Sequence, residues 1–189
     1  SGGTIEQSLT IEVGNVNDVP EIDAGEDFSV SDRSPVTLSV EVAGPAIDFD
    51  DVDIDSYGGA DQDRSLDVTT DGQSMTMSGN GWKSVDFPYT ITEDTILEFQ
   101  FKADSEGEIH GIGFDNDNSI EPTKTFRIHG TQDWGINHTA EYDGHDGEWV
   151  TYQIRVGDYF EGDFSKLVFV NDEDAGGSNA VSKIGRAHV

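Results

Sequence analysis

The stretch WVTYQIRV, residues 149–156, decides the fold class, because Val150, Tyr152, Ile154 and Val156 alternate with other residues. Strand side chains point to opposite faces in turn, so an apolar period of two marks a strand with one buried face. The same period returns in Met75 and Met77, in Leu97, Phe99 and Phe101, in Ile112 and Phe114, and in Phe126 and Ile128. Towards the N-terminus it is carried by Leu9, Ile11 and Val13, then by Val36, Leu38, Val40 and Val42. The run LVFV at 167–170 does not alternate and reads as a strand buried on both faces. Gly, Asp and Asn clusters separate these runs, and no segment sustains a helical period. The expected fold is all-β, an antiparallel β-sandwich of jelly-roll type.

Charge narrows the partners. The 189 residues include 39 acidic and 10 basic ones, a formal net charge of −29. Nucleic acid is an unexpected partner, since its binding needs Lys and Arg to displace counterions. Anionic membrane surfaces are disfavoured for the same reason. No apolar run is long enough to span a bilayer, so no membrane insertion is expected. The acidity suits either a heavily solvated surface in salty water, where charge is screened within about 8–10 Å, or cation binding. The absence of cysteine excludes disulfides, thiolate zinc sites and cysteine nucleophiles.

The chain carries no signal peptide and no initiator Met, and it begins in what reads as mid-domain. It is expected to be an internal piece of a longer protein that is extracellular or on the cell surface. Residues 1–20 read as the end of a preceding repeat plus a linker. Residues 21–44 read as a spacer or partial repeat, and residues 45–183 as the main sandwich. The last six residues, IGRAHV at 184–189, match the translation of a common sequencing adapter. They are expected to be a non-native tail, so the native closing strand would be missing. Reading the source DNA past the Lys183 codon tests this.

Four acidic clusters are candidate calcium sites, because a hard cation takes six to eight oxygen ligands. The first is NVNDVP at 15–20, with Asn17 and Asp18; the alternative there is an Asx-turn. The second is DFDDVDID at 48–55, with Asp48, Asp50 and Asp51, followed by DQD at 61–63. Two exposed carboxylates about 4 Å apart repel by roughly 1 kcal/mol in water, so such crowding favours a cation. The alternation there suggests a strand entering a loop. The third is GIGFDNDN at 111–118, where Asp115, Asn116 and Asp117 leave a strand ending in Phe114. The fourth is VNDEDAGGSN at 170–179, with Asp172 and Asp174. The alternative is a solvated acidic loop for the second, a polar hairpin loop for the third and a catalytic dyad for the fourth.

The segment GTQDWGINHTAEYDGHDGEW, 130–149, mixes aromatics with amides. Sugars present apolar C–H faces and polar rims, so rings stack on the first and amides or carboxylates bond the second. Gln132, Trp134 and Tyr142 are the candidate sugar contacts, with Trp134 in a loop between Asp133 and Gly135. Trp149 opens a strand and is expected to be core. His138 and His145 have no metal-ligand spacing and are expected on the surface. No carboxylate stands isolated among aromatics as a glycosidase acid must. Nucleophile elbows and phosphate loops are absent.

The series WKSVDFPYTIT, TILEFQF, GEIHGIGFDND, FRIHGTQDWGI, WVTYQIRVGDYFEGD and LVFVNDEDA resembles a jelly-roll carbohydrate-binding domain. Such domains are appended to secreted polysaccharide-degrading enzymes and to calcium-rich bacterial adhesins. NVNDVP resembles the calcium linker between cadherin-like repeats. The resemblance implies a non-catalytic, calcium-dependent domain that binds a polysaccharide or glycan, with neighbouring domains of the same chain as further partners. Some calcium-dependent xylan-binding modules coordinate sugar hydroxyls through a loop-bound ion. Carried over, Asp115, Asn116 and Asp117 would hold that ion beside Trp134 and Tyr142. The alternatives are a calcium-rigidified spacer of an adhesin and a polysaccharide-active enzyme domain.

Overall fold

The computed structural model describes residues 46–59, 66–175 and 179–189. The two N-terminal strand runs, the NVNDVP motif and the DQD triplet lie outside the described residues. Eleven strands form among the described residues: β1 Asp55–Ser56, β2 Asp67–Asp71, β3 Ser74–Ser78, β4 Gly81–Ile91, β5 Ile96–Ser105, β6 Ile109–Asp115, β7 Thr125–His129, β8 Ile136–Asn137, β9 Val150–Arg155, β10 Gly162–Asp172 and β11 Val181–His188. The helical elements there are two short 3-10 turns, Thr139–Glu141 and Val156–Asp158.

The strands make two sheets, ordered β1-β4-β10-β6-β7-β8 and β2-β3-β11-β5-β9. All pairings are antiparallel except that of β7 with β8. The expected all-β sandwich is what forms. Its core takes one parity of each strand: Met75 and Met77, Leu97, Phe99 and Phe101, Ile112 and Phe114, Phe126 and Ile128, Tyr152 and Ile154, Leu167 and Phe169. Phe99 stacks on Tyr152 with ring centroids 5.0 Å apart.

LVFV is buried on both faces, as its unbroken apolarity implies. β10 lies between β4 and β6, so Leu167 and Phe169 enter the core. Val168 and Val170 face the other way and join Tyr57, Trp82 and Ile109 in a second cluster on the outside of the six-stranded sheet.

One expectation is revised. DFDDVDID is mostly not a strand. Phe49 is buried in the core, while Asp48 and Asp50 form a turn that leaves pairing to Asp55 and Ser56. The hexapeptide 184–189 also supplies much of β11. Ile184 pairs with Met75 and Phe101, and Ile184 and Ala187 are buried. The pairing slips between Gly185 and His188, and Arg186 there has φ 49. That is left-handed backbone, which a non-glycine residue adopts at a cost.

Candidate functional site

The outside of the six-stranded sheet gathers several residues singled out in the sequence. Trp134 meets Trp82 edge-on, with centroids 5.2 Å apart. Tyr57 stacks on Trp82 at 6.0 Å and donates its hydroxyl to Asp115 Oδ2 at 2.9 Å. Burial together with the Asp115 carboxylate holds the Tyr57 phenol far above its usual pKa. The Asp115 loop and Trp134 therefore share one sheet face, but their rings pack on one another. Trp82 is 3% exposed, Tyr57 and Asp115 are buried, and Trp134 is half-buried. The remaining loop residues make local bonds. Asn116 Nδ2 donates to Asp163 O, and Asp117 Oδ1 accepts from Ser119 N. Gln132 gives its backbone oxygen to the Arg127 guanidinium.

The nominated calcium ligands are dispersed. Asp48 Oδ1 accepts from Asp50 N, and Asp50 Oδ2 accepts from Gly72 N. Those bonds tie the turn to the loop before β3. Asp51 donates its backbone N–H to Asp48 O. At the far end of β10, Glu108 Oε2 accepts from the backbone N–H groups of Asp174 and Ala175. These bonds lower the Glu108 pKa, while the carboxyl contact with Glu108 raises that of Asp174. Trp82 Nε1 donates to Asp172 Oδ1 at 3.3 Å. Burial raises the Asp172 pKa against that bond, so one carboxyl does lie beside an aromatic ring, which the sequence did not disclose. Among the described residues no three His, Asp or Glu side chains converge as a metal-holding group. Asn17 and Asp18 lie outside the described residues.

Two aromatic assignments are reversed. Tyr142 is 0% exposed: its ring meets Phe101 edge-on at 4.9 Å, and its hydroxyl accepts from Ala103 N at 2.8 Å. It is a core residue and offers no sugar a surface. Removing that hydroxyl strands a buried N–H. Tyr142→Phe is expected to lower stability by about 1–3 kcal/mol, read from a denaturant midpoint.

Trp149, expected in the core, is 46% exposed. It has the parity of Thr151, Gln153 and Arg155, which point away from Tyr152 and Ile154. Its indole lies on the outside of the five-stranded sheet, with Cζ3 3.5 Å and Cη2 3.6 Å from where a Gly185 Cβ would stand. Gly185 belongs to the hexapeptide, but the side chains around the ring precede it. Register puts Gln100 beside Gly185 and Thr151 beside Gln100. One row on, Lys183 pairs with Lys102, and Asp104 bridges both amines at 2.9 and 3.0 Å. Those two amines hold the Asp104 pKa down. Gln153 Nε2 donates to Glu98 Oε2 at 2.6 Å on the same face. An exposed ring among amides, amines and carboxylates can cover an apolar ligand face and bond its polar rim.

No protein-family model and no curated protein matches the chain. Solved structures to which it is similar include family 29 carbohydrate binding modules. A CBM29-2 mutant complexed with mannohexaose is 16% identical, with 81% of this chain and 92% of that chain covered and a TM-score of 0.43. A second mutant, complexed with cellulohexaose, is 16% identical, covering 72% of this chain and 78% of that one at a TM-score of 0.41.

Proposed function

We propose that the chain is a non-catalytic carbohydrate-binding domain whose sugar lies on the outside of the five-stranded sheet, over Trp149. The observation that supports this is the exposed indole of Trp149, set among Gln100, Thr151, Lys102, Lys183 and the Gln153–Glu98 pair. A spacer domain gains nothing from an exposed indole. Asp172, the carboxyl that lies beside an aromatic ring, accepts a hydrogen bond from Trp82 Nε1.

Affinity electrophoresis tests the reading. The protein runs through gels containing neutral, anionic and amino polysaccharides, with and without EDTA. Retardation by at least one polysaccharide is expected. Unretarded migration throughout, with calcium present, would overturn the proposal, and release of reducing ends would replace it with the enzyme alternative.

Calcium belongs to this proposal as a stabiliser, supported by the excess of 39 acidic over 10 basic residues. No role in holding the sugar is assigned to it. A metal that binds only the folded chain stabilises by about 2.7 kcal/mol at a hundredfold excess over its Kd. For a chain of this size that corresponds to a rise of roughly 5–10 °C in melting temperature. An unchanged melting curve on adding calcium to EDTA-treated protein removes calcium from the account. An extracellular or cell-surface setting, with neighbouring domains of one longer chain as partners, completes the proposal.

A further inference from the structure

Basic residues are scarce in this chain, 10 against 39 acidic ones, so each cation is expected to have a carboxylate to itself. Lys124, Arg127, Arg155 and Lys166 do, with Glu121, Asp133, Asp94 and Asp86 beside them. Near Trp149 the ratio inverts. Lys102 and Lys183 share Asp104, whose Oδ1 is 2.9 Å from the Lys102 amine and whose Oδ2 is 3.0 Å from that of Lys183. The next carboxylates along, Glu106 and Asp146, face His129 instead.

The two lysines lie on the face that exposes the indole. They are register partners on β5 and β11. Val150 pairs with Phe101, so Trp149 and Lys102 are the next residues on their two strands. The indole rests against Gly185, which is two residues, about 7 Å, along β11 from Lys183. Both lysine side chains are partly exposed. A ligand stacked on the ring therefore has two amines within its reach.

An ammonium has three donors and no acceptor. Each of these two spends one donor on Asp104 and keeps the others. Their spacing is one that a single carboxylate spans, one oxygen to each amine, as Asp104 does. A second carboxylate can span them in the same way, and its bonds are about twice as strong as those of a neutral hydroxyl. One carboxylate between two ammoniums also leaves an excess of positive charge, which an incoming anion neutralises. The acids elsewhere on the chain repel such an anion, but at about 0.15 M salt their charge is screened beyond about 8 Å. We infer that Lys102 and Lys183 together bind a carboxylate of the sugar, so that the polysaccharide over Trp149 contains uronic acid residues. This rests on the carbohydrate reading of Trp149 and names the substrate class for it.

Three hexasaccharides with one linkage and different groups at carbon 6 test the inference by calorimetry in about 0.15 M salt: cellohexaose, the matching glucuronate hexamer and 6-sulfated cellohexaose. The glucuronate hexamer is expected to bind at least about fivefold more tightly than the other two. The paired change Lys102→Gln with Lys183→Gln should bring all three within roughly twofold. Lys124→Gln with Lys166→Gln removes the same charge on the six-stranded sheet, and should leave the preference intact. Loss of the preference in this control pair would reduce the effect to bulk charge and overturn the inference. Asp104→Asn releases both amines, and should tighten the glucuronate hexamer by about threefold while cellohexaose stays within about twofold. Unchanged or weaker binding of the glucuronate hexamer there would overturn the inference, because Asp104 would not be competing for the same amines. The sulfated hexamer or hexaglutamate binding as tightly as the glucuronate hexamer would overturn it too. If cellohexaose binds through Trp149 as tightly as the glucuronate hexamer, the inference falls and the carbohydrate reading stands. If no sugar binds, both fall.

Discussion

Trp149→Ala is expected to abolish retardation by every polysaccharide that retards the parent protein, while its melting temperature stays nearly unchanged. The two halves of this expectation have different causes. Burying an exposed indole against a ligand makes it an anchor, and truncating such an anchor typically costs about 2 kcal/mol or more, some thirtyfold in Kd. Stability should barely move, because nearly half of the side chain already faces water. Exposed substitutions away from caps and cores usually fall within about 0.5 kcal/mol. Trp82 provides the contrast. It is almost fully covered, stacked on Tyr57 and bonded to Asp172, so its truncation should cost about 3–5 kcal/mol of stability. Affinity electrophoresis beside melting curves for both variants separates a binding residue from a packing residue.

Acid should destabilise the domain through His110. This residue is fully buried, accepts a hydrogen bond from Gly107 N at 2.9 Å through Nε2, and stacks on His129. Burial, with the neighbouring His129 charge second, lowers its pKa to about 3. The unfolded chain has an ordinary histidine there, with a pKa near 6.5. Between those values the unfolded state binds the proton and the folded state does not. Stability therefore falls as pH falls below about 6.5, approaching 1.4 kcal/mol per unit and stopping near pH 3. From neutral pH to pH 5 the loss from this group is about 2 kcal/mol. A glutamine can still accept from Gly107 N and does not titrate. His110→Gln should thus flatten the stability profile from pH 6.5 to 5, above the range of most carboxylates. Equal slopes for both proteins, measured by urea denaturation, would remove His110 as the cause.

The sandwich was legible because period two is a local property. Val150, Tyr152 and Ile154 point inward on β9 as their spacing requires, and LVFV is covered on both sides because β10 has a neighbour on each side. Trp149 was legible too, since it has the parity of Thr151 and Gln153. Expecting it in the core weighs residue type over register, and the structure follows register. Tyr142 was not legible. It leaves a 3-10 turn among exposed polar residues, and only the arrival of Ala103 and Phe101 from β5 makes its position interior. The acidic runs misled for a related reason. Their spacing does not say which backbone N–H groups will meet them, and Asp48, Asp50, Asp117 and Glu108 each accept from one or more. The row of Gln100, Lys102, Lys183 and Glu98 comes from separate strands brought side by side by sheet order.

The three tryptophans permit a direct measurement, because each indole N–H gives its own NMR resonance. Trp82 and Trp134 lie on the outside of the six-stranded sheet and Trp149 on the outside of the five-stranded one. Titration with cellohexaose and with the glucuronate hexamer is predicted to shift the Trp149 indole and the amides of Gln100, Thr151 and Lys183, leaving the Trp82 and Trp134 indoles in place. Shifts centred on Trp134, with Trp149 unmoved, would contradict the account and return the ligand to the loop of Asp115.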